Sequence, residues 1–268
     1  MKLAISGKGG VGKTTIAAGL ARLYARQGRR VMAIDADADA NLASALGLEP
    51  SQLDGIVPIA HMEELIAERT GAQPGSMGGY FTLNPEVDDI PDRFSREAHG
   101  VRLLVMGSVE QGGSGCLCPE GALLKSLMRY LLVQRDEVVI VDMEAGIEHL
   151  GRGTAAAVDK LIVVVEPGRR SIETALNIKQ LAAEIRLRNI AIVGNKVRNQ
   201  SDVEFIKSSL PGLEFLGFIP YDEAIVDADL AGRSPLEASQ PAKAAVKEIY
   251  QGLLAGAGKG AGKIKVKA

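Results

Sequence analysis

The sequence contains little cysteine: Cys116 and Cys118 are the two in 268 residues, and they stand two positions apart. Because such close neighbours cannot link distant parts of a chain, a long-range disulfide framework is excluded. Internal repeats are missing, and the longest apolar runs, such as residues 161–165, fall far short of the roughly 20 residues that cross a bilayer. With no leader ahead of a first strand that begins at Lys2, we expect a cytoplasmic protein without membrane attachment.

The sequence also has no strong excess of charge, since 31 Lys and Arg residues face 33 Asp and Glu residues for a net charge of −2. This balance argues against general affinity for nucleic acid or anionic membranes. The length suits one α/β domain with a sizeable core, which we assign to residues 1–255. A last helix is predicted over residues 241–254, and residues 256–268, rich in Gly, Ala and Lys, predict a disordered tail.

A glycine-rich stretch near the start carries the clearest motif, G-x-x-x-x-G-K-[ST], from Gly7 to Thr14. A short apolar run precedes it and an amphipathic run of helical period follows it, which is the context that a phosphate-binding loop requires. Lys13 supplies a catalytic charge for the β- and γ-phosphates, and the Thr14 hydroxyl can bind Mg²⁺. The predicted ATP-binding residues of this loop are Gly7, Lys8, Gly9, Gly10, Val11, Gly12, Lys13, Thr14 and Thr15.

A second lysine inside the loop, Lys8, gives the run K-G-G-V-G-K-T-T over residues 8–15. This run resembles the deviant phosphate loop of the SIMIBI ATPases, a group with the nitrogenase iron protein, the MinD and ParA regulators and metal-centre maturation ATPases. The resemblance implies a homodimer in which Lys8 crosses the interface to the partner's nucleotide and assists hydrolysis. The alternative is an exposed, solvated lysine.

Aspartates alternate after the second predicted strand, at positions 35, 37 and 39. Side chains at such a strand end face the crevice where open α/β sheets bind ligands. By resemblance this segment is switch I, in which Asp37 orients the attacking water. The same resemblance puts Asp35 and Asn41 near the Mg²⁺ shell. A solvated turn is the alternative, and it is the interpretation we favour for Asp39.

Another acidic strand end, Asp142, opens a D-x-x-x-G spacing that reaches Gly146. This spacing is typical of a switch II, in which Asp142 holds the Mg²⁺ shell and Gly146 senses the γ-phosphate. Glu144, Glu148 and His149 follow in sequence. Each could be a further metal ligand, although surface or switch packing is the alternative that we favour.

Strands with apolar centres recur along the chain, which predicts a doubly wound, mostly parallel sheet flanked by helices. Residues 80–83, 101–106, 137–142, 161–165, 190–196 and 216–222 are the later predicted strands, and residues 62–69 predict a helix. By resemblance, Asn195 reads the edge of the adenine, while Pro220 and Tyr221 pack beside the base.

The two cysteines precede a predicted helix in which Cys118 is the N-cap and Pro119 the first residue. A helix N-terminus favours the thiolate form, and paired thiolates suit a soft or borderline metal. A closed tetrahedral thiolate site needs four ligands. The site is therefore either open and transient or completed by a second C-x-C across a two-fold axis; two inert buried cysteines are the third alternative.

Taken together, the deviant loop, Cys116-Leu117-Cys118, residues 142–150 and residues 195–199 closely resemble the CooC-type ATPases over residues 1–254. Those proteins serve nickel insertion into carbon monoxide dehydrogenase, and the similar AcsF serves acetyl-CoA synthase. The resemblance implies a nickel-delivering homodimer whose C-x-C site binds Ni²⁺ or Zn²⁺. An iron–sulfur carrier ATPase and a MinD- or ParA-like positioning ATPase stay open as alternatives.

Overall fold

A computed structural model describes residues 1–75, 80–108, 118–147 and 150–260. Its strands are β1 (Lys2–Ser6), β2 (Val31–Ala36), β3 (Arg96–Ala98), β4 (Val101–Val105), β5 (Val138–Met143), β6 (Lys160–Val165), β7 (Ile190–Val197) and β8 (Glu214–Pro220). They form one sheet in the order β3-β4-β2-β5-β1-β6-β7-β8. Every pairing is parallel except that of β3 with β4. The predicted mostly parallel sheet is thus confirmed.

Helices connect these strands and cover both faces of the sheet. The helices are α1 (Lys13–Arg26), α2 (Leu42–Ala45), α3 (Pro50–Leu53), α4 (Glu63–Thr70), α5 (Ile90–Phe94), α6 (Pro119–Val133), α7 (Arg152–Ala155), α8 (Arg169–Glu184), α9 (Gln200–Ser209), α10 (Glu223–Leu230), α11 (Pro235–Ala238) and α12 (Gln240–Gly260). No helix within the described ranges is both long and apolar enough to span a bilayer.

Two hydrophobic cores result from this arrangement, one on each face of the sheet. One core packs the apolar sides of α4, α6 and α8 against the strands, and the other packs α1 and α12. The strands β2 and β5 are buried along their whole length, because both their faces are covered. The doubly wound architecture is therefore confirmed.

The order of the strands in the sheet changes direction at β1. From β1 the early crossovers lead to β2 and β4 on one side, and after β5 they lead to β6, β7 and β8 on the other. In open α/β sheets, ligands bind beyond the carboxyl ends of the strands at such a switch point. The loop between β1 and α1 lies at this position.

The predicted strand over residues 80–83 is wrong. This segment is irregular, and both Tyr80 and Leu83 are exposed, so the apolar pattern does not mark a buried face. One backbone hydrogen bond, from the Thr82 N–H to the carbonyl of Thr70, ties the segment to the end of α4. The predicted helix and strand on either side, α4 and β4, are confirmed.

The predicted end of the last helix is also corrected. The structure continues α12 to Gly260, beyond the predicted end of this helix at residue 254. Earlier turns of α12 are anchored in the core by Val246, Ile249 and Leu253, and adding a turn to a formed helix is far easier than starting one. Residues 261–268 lie outside the described residues.

Candidate active site

A cavity of about 690 Å³ opens beyond the carboxyl ends of the strands. It gathers predicted site residues from separate stretches of the chain, namely Gly9, Gly10, Gly12, Lys13, Thr14, Thr15, Asp37, Asn195, Pro220 and Tyr221. The cavity therefore brings together the predicted phosphate loop, switch I and the two segments predicted to hold the base.

Two glycines shape the loop between β1 and α1. Gly7 has a φ of 149°, and a Cβ there would lie 2.3 Å from the carbonyl oxygen of Val164. Gly12 is the N-cap of α1 with a φ of 92°, and a Cβ there would lie 2.3 Å from Nδ2 of Asn195. A side chain at either position would collide with its neighbour, so the loop packs directly on β6 and β7.

Lys13 and Thr14 occupy the first two positions of α1, at the floor of the cavity. The Lys13 side chain is almost fully buried and its positive charge acts on Asp142, as does the neighbouring Thr14 hydroxyl. The positive end of the α1 dipole points to the same place. A cation, a hydroxyl and a helix N-terminus thus converge where the sequence predicts phosphate and Mg²⁺.

Asp35 and Asp142 are buried at the carboxyl ends of adjacent strands and face each other in register. Burial raises the pKa of Asp35 to about 6, although hydrogen bonds from the backbone N–H groups of Leu42 and Asp37 oppose the rise. Burial raises the pKa of Asp142 to about 7, with the charge of Asp35 adding to the effect. Neither Asp142 oxygen has a well-formed hydrogen bond to the described residues. The pair is therefore a strongly attractive site for a cation.

Hydrogen bonds link the segments that follow β2 and β5. The Ala38 N–H donates to Oε1 of Glu144 (3.0 Å), and the Asp39 N–H donates to Oδ1 of Asp37 (3.1 Å). The Ser6 hydroxyl contacts the carbonyls of Glu144 (3.0 Å) and Gly146 (2.7 Å). Predicted switches I and II are thus in direct contact, and Glu144 is the residue that joins them.

Other predicted members of these segments make different contacts. Asp39 and Asn41 also line the cavity, but both are exposed, and the Asn41 amide donates to the carbonyl of Asp39 (2.8 Å), in keeping with a solvated turn for Asp39. The carbonyl of Gly146 accepts a hydrogen bond from the Ser6 hydroxyl. Glu148 and His149 lie outside the described residues.

At the far end of the cavity, Asn195 is buried and bound to the phosphate loop. Its Nδ2 donates to the carbonyl of Val11 (2.7 Å), and its Oδ1 accepts from the Lys196 N–H (2.9 Å). Both ends of the amide therefore contact backbone in this conformation. Pro220 ends β8, and the half-exposed Tyr221 follows it on the cavity wall.

The sequence reasoning missed two residues beside the phosphate loop, Glu166 and Lys196. The Lys8 ammonium lies 3.4 Å from Oε1 of Glu166, and the Lys196 ammonium lies 3.5 Å from Oε2 of the same carboxylate. Lys196 also donates to the carbonyl of Gly10 (2.6 Å). The sequence signal was the placement of Glu166 and Lys196 directly at the ends of two neighbouring strands, where ligand-binding residues gather.

Cys118 is the N-cap of α6, as predicted, with Pro119 as the first helical residue. Its Sγ accepts a hydrogen bond from the Gly121 N–H (3.3 Å). Helix α6 then leads into β5, the strand that ends at Asp142 and Met143. Cys116 lies outside the described residues, and within the described part of one subunit no three His, Cys, Asp or Glu side chains form a metal-binding group.

Comparisons with known proteins agree with this geometry. Residues 2–236 match the CobQ/CobB/MinD/ParA nucleotide binding domain. The chain is 48% identical, over 95% of its length and 96% of the relative, to the carbon monoxide dehydrogenase accessory protein CooC of Rhodospirillum rubrum. It is 45% identical, over 93% and 96% of the two chains, to an uncharacterized ATP-binding protein of Methanocaldococcus jannaschii. The MinD structure with Mg-ADP from Pyrococcus horikoshii has the same fold, with a TM-score of 0.66, 18% identity and coverage of 98% and 99%.

Proposed function

Because this chain belongs to the CobQ/CobB/MinD/ParA family of nucleotide-binding domains, we propose that it is an ATPase that delivers nickel to a nickel–iron–sulfur enzyme. The proposal of ATPase activity rests on one observation: Lys13, Thr14 and the buried carboxylates of Asp35 and Asp142 lie together at the N-terminus of α1. The client class rests on the 48% identical relative, which is named as an accessory protein of carbon monoxide dehydrogenase.

Mg²⁺ fits this site. Both oxygens of Asp142 are buried without a well-formed hydrogen bond in the described structure, and hydroxyl and carboxylate oxygens are the ligands that this hard cation prefers. Thr14 and Asp142 would hold the ion, with Asp35 beside them. When bound, Mg²⁺ supplies neutralisation of phosphate charge and orients the phosphate chain.

The remaining steps fall to the side chains and backbone of the chain itself. Lys13 and the N-terminus of α1 bind the β- and γ-phosphates, since a cation and free N–H groups point at the same place. Asp37 lies on the cavity wall and orients the water that attacks the γ-phosphate. Lys8 of one subunit neutralises the phosphate charge of the partner's nucleotide, so hydrolysis to ADP and phosphate requires a closed dimer.

The cargo is a nickel ion. We assign its ligands to Cys116 and Cys118 of both subunits, because four thiolates complete a tetrahedral site that one chain cannot form. Zn²⁺ would compete for the same thiolates. Movement of the segment after β5 on ATP binding would be transmitted through β5 and α6 to the Cys118 cap, because these elements follow one another directly.

The test offers the protein, MgATP and Ni²⁺ to nickel-free carbon monoxide dehydrogenase and nickel-free acetyl-CoA synthase side by side. We expect ATP-dependent activation of carbon monoxide dehydrogenase, which the Lys13→Ala and Cys116→Ser/Cys118→Ser variants fail to support. Activation of acetyl-CoA synthase alone would identify that enzyme as the client in place of carbon monoxide dehydrogenase. Activation of neither enzyme, or a brown [4Fe–4S] protein after anaerobic purification, would reject nickel delivery.

A further inference from the structure

Glu166 lies immediately beyond β6, beside the phosphate loop. Its backbone N–H donates to the hydroxyl of the buried Ser171 (3.0 Å), which anchors this residue to the first turn of α8. The loop itself cannot move away from β6 without losing the close contact of Gly7 with the Val164 carbonyl. The backbone of Glu166 is therefore anchored beside the phosphate loop.

An acid next to a phosphate site opposes anion binding unless its charge is compensated. Here two lysines compensate it from opposite sides, with Lys8 on Oε1 at 3.4 Å and Lys196 on Oε2 at 3.5 Å. The three side chains are partly exposed, at 37% for Lys8, 43% for Lys196 and 26% for Glu166. They form a solvent-accessible pair of ion pairs that can rearrange.

The backbone of Lys196 directs its side chain to this carboxylate. Lys196 has a φ of 56°, a left-handed backbone conformation that residues other than glycine adopt rarely. It lies where the register of β7 against β8 shifts. The irregularity turns the ammonium to the Gly10 carbonyl and to Glu166. Lys196 is thus held against the phosphate loop by both the Gly10 carbonyl and Glu166. Lys8, in contrast, has no ion pair other than that with Glu166 in the described structure.

We propose that Glu166 is a positioning residue for Lys8, holding it within its own subunit until ATP closes the dimer. The inference rests on the proposed function, in which Lys8 acts on the partner's nucleotide. On closure Lys8 leaves Glu166 for the phosphates across the interface, and Lys196 alone then neutralises the carboxylate. Each closure breaks two Lys8–Glu166 pairs, so Glu166 raises the ATP-bound protein concentration at which dimers form.

The test measures the dimer dissociation constant of wild type and Glu166→Gln by analytical ultracentrifugation with a non-hydrolysable ATP analogue. Because exposed ion pairs are weak and two are broken per dimer, we expect Glu166→Gln to tighten the dimer roughly fivefold. The difference should shrink as added salt screens the pair. The matched control is Glu214→Gln, which removes the ion pair with Lys160 at the opposite end of β6 and should leave dimerisation unchanged.

A role limited to supporting the loop predicts a different pattern. Glu166→Gln would then weaken analogue binding by dilute, monomeric protein, whereas release of Lys8 predicts equal or tighter binding. The Lys8→Ala/Glu166→Gln double variant should stay monomeric like Lys8→Ala, because the effect of Glu166 acts through Lys8. An unchanged or weaker Glu166→Gln dimer, beside a wild type that dimerises, overturns only this inference. A wild type that stays monomeric with the analogue overturns the proposed dimer as well.

Discussion

Asp35 and Asp142 stand directly opposite each other on adjacent parallel strands, and both carboxyl groups are buried. Burial raises the pKa of Asp35 to about 6 and the pKa of Asp142 to about 7, and the charge of Asp35 adds to the rise at Asp142. The protein without ligands therefore keeps a proton on this pair close to neutral pH. A cation that replaces the proton offsets both the burial of the carboxylates and the repulsion between them.

Stability of the protein without metal and nucleotide should fall as the pH rises from about 4 to about 7. A pKa raised above the unfolded value of about 3.8 means that the folded state binds more protons in this window, so unfolding becomes easier as the pH rises. Asp142→Asn removes the larger part of the effect and should raise the free energy of unfolding at pH 8 by ~3 kcal/mol, with little change near pH 4. Urea unfolding in EDTA at both pH values measures this.

The control for this experiment is Asp88→Asn, which alters an exposed carboxylate. It should leave the pH dependence of the unfolding free energy as in the wild type. Equal pH dependence in Asp142→Asn and the wild type would contradict the assignment of the raised pKa to this pair.

Lys8→Ala and Lys13→Ala should fail in different ways. Lys13 is buried at the N-terminus of α1 and lines the nucleotide cavity of its own subunit. Lys13→Ala should therefore weaken ATP binding at least tenfold and abolish hydrolysis. Lys8 points outside the cavity to Glu166, so Lys8→Ala should keep ATP binding within a few-fold but lower kcat by 10²-fold or more. Fluorescent-nucleotide titration and phosphate release separate the two effects, and equal loss of binding in both variants would refute the division of roles.

Asp37→Asn should bind ATP normally and hydrolyse it slowly. The residue is half-buried on the cavity wall and its carboxylate is expected to orient water, a role worth roughly 10²- to 10⁴-fold in rate. An ATP-bound dimer should therefore persist in gel filtration with MgATP. The matched variant Asp39→Asn, two residues away and exposed, should keep normal turnover. If Asp39→Asn is the slow variant, the assignment is reversed.

Nickel affinity should depend on the nucleotide. The Cys118 cap, α6 and β5 connect the cysteines to Asp142, so a shift of the segment after β5 should change the thiolate site by roughly tenfold in affinity. By reciprocity, nickel should change ATP-analogue affinity by the same factor. Titration of Ni²⁺ into apo, ADP-bound and analogue-bound protein, followed by thiolate charge-transfer absorbance, should give about one ion per dimer. Equal affinities in all three states, or full binding by Cys116→Ser/Cys118→Ser, would leave the cysteines structural.

The sequence predicted the sheet, the phosphate loop and the resemblance to CooC-type ATPases, and these are confirmed. Each depends on a local signal: apolar runs of strand length, or a motif whose glycines and lysine have fixed spacing. The N-cap role of Cys118 was predictable for the same reason, since Pro119 marks the first position of a helix.

What the sequence could not predict depends on contacts between distant residues. Glu166 is far from Lys8 in the chain, and their ion pair exists because β6 lies next to β1. The left-handed backbone of Lys196 has no sequence marker, because non-glycine residues adopt it only under tertiary constraint. The strand predicted over residues 80–83 was wrong for a related reason: apolar residues cluster there, but Tyr80 and Leu83 are exposed and do not form a buried face.

One margin of the sheet is closed by β3, three residues long, antiparallel to its neighbour and bearing the exposed side chains of Arg96 and Glu97. A short charged margin offers few free backbone groups to another chain, so this edge of the sheet is a poor place for a second subunit to add a strand. The proposed dimer would instead use the face that carries the nucleotide site, where side chains and loops would make the contacts. Such contacts separate readily, which suits the proposed dimer, because that dimer would form and come apart in each round of hydrolysis.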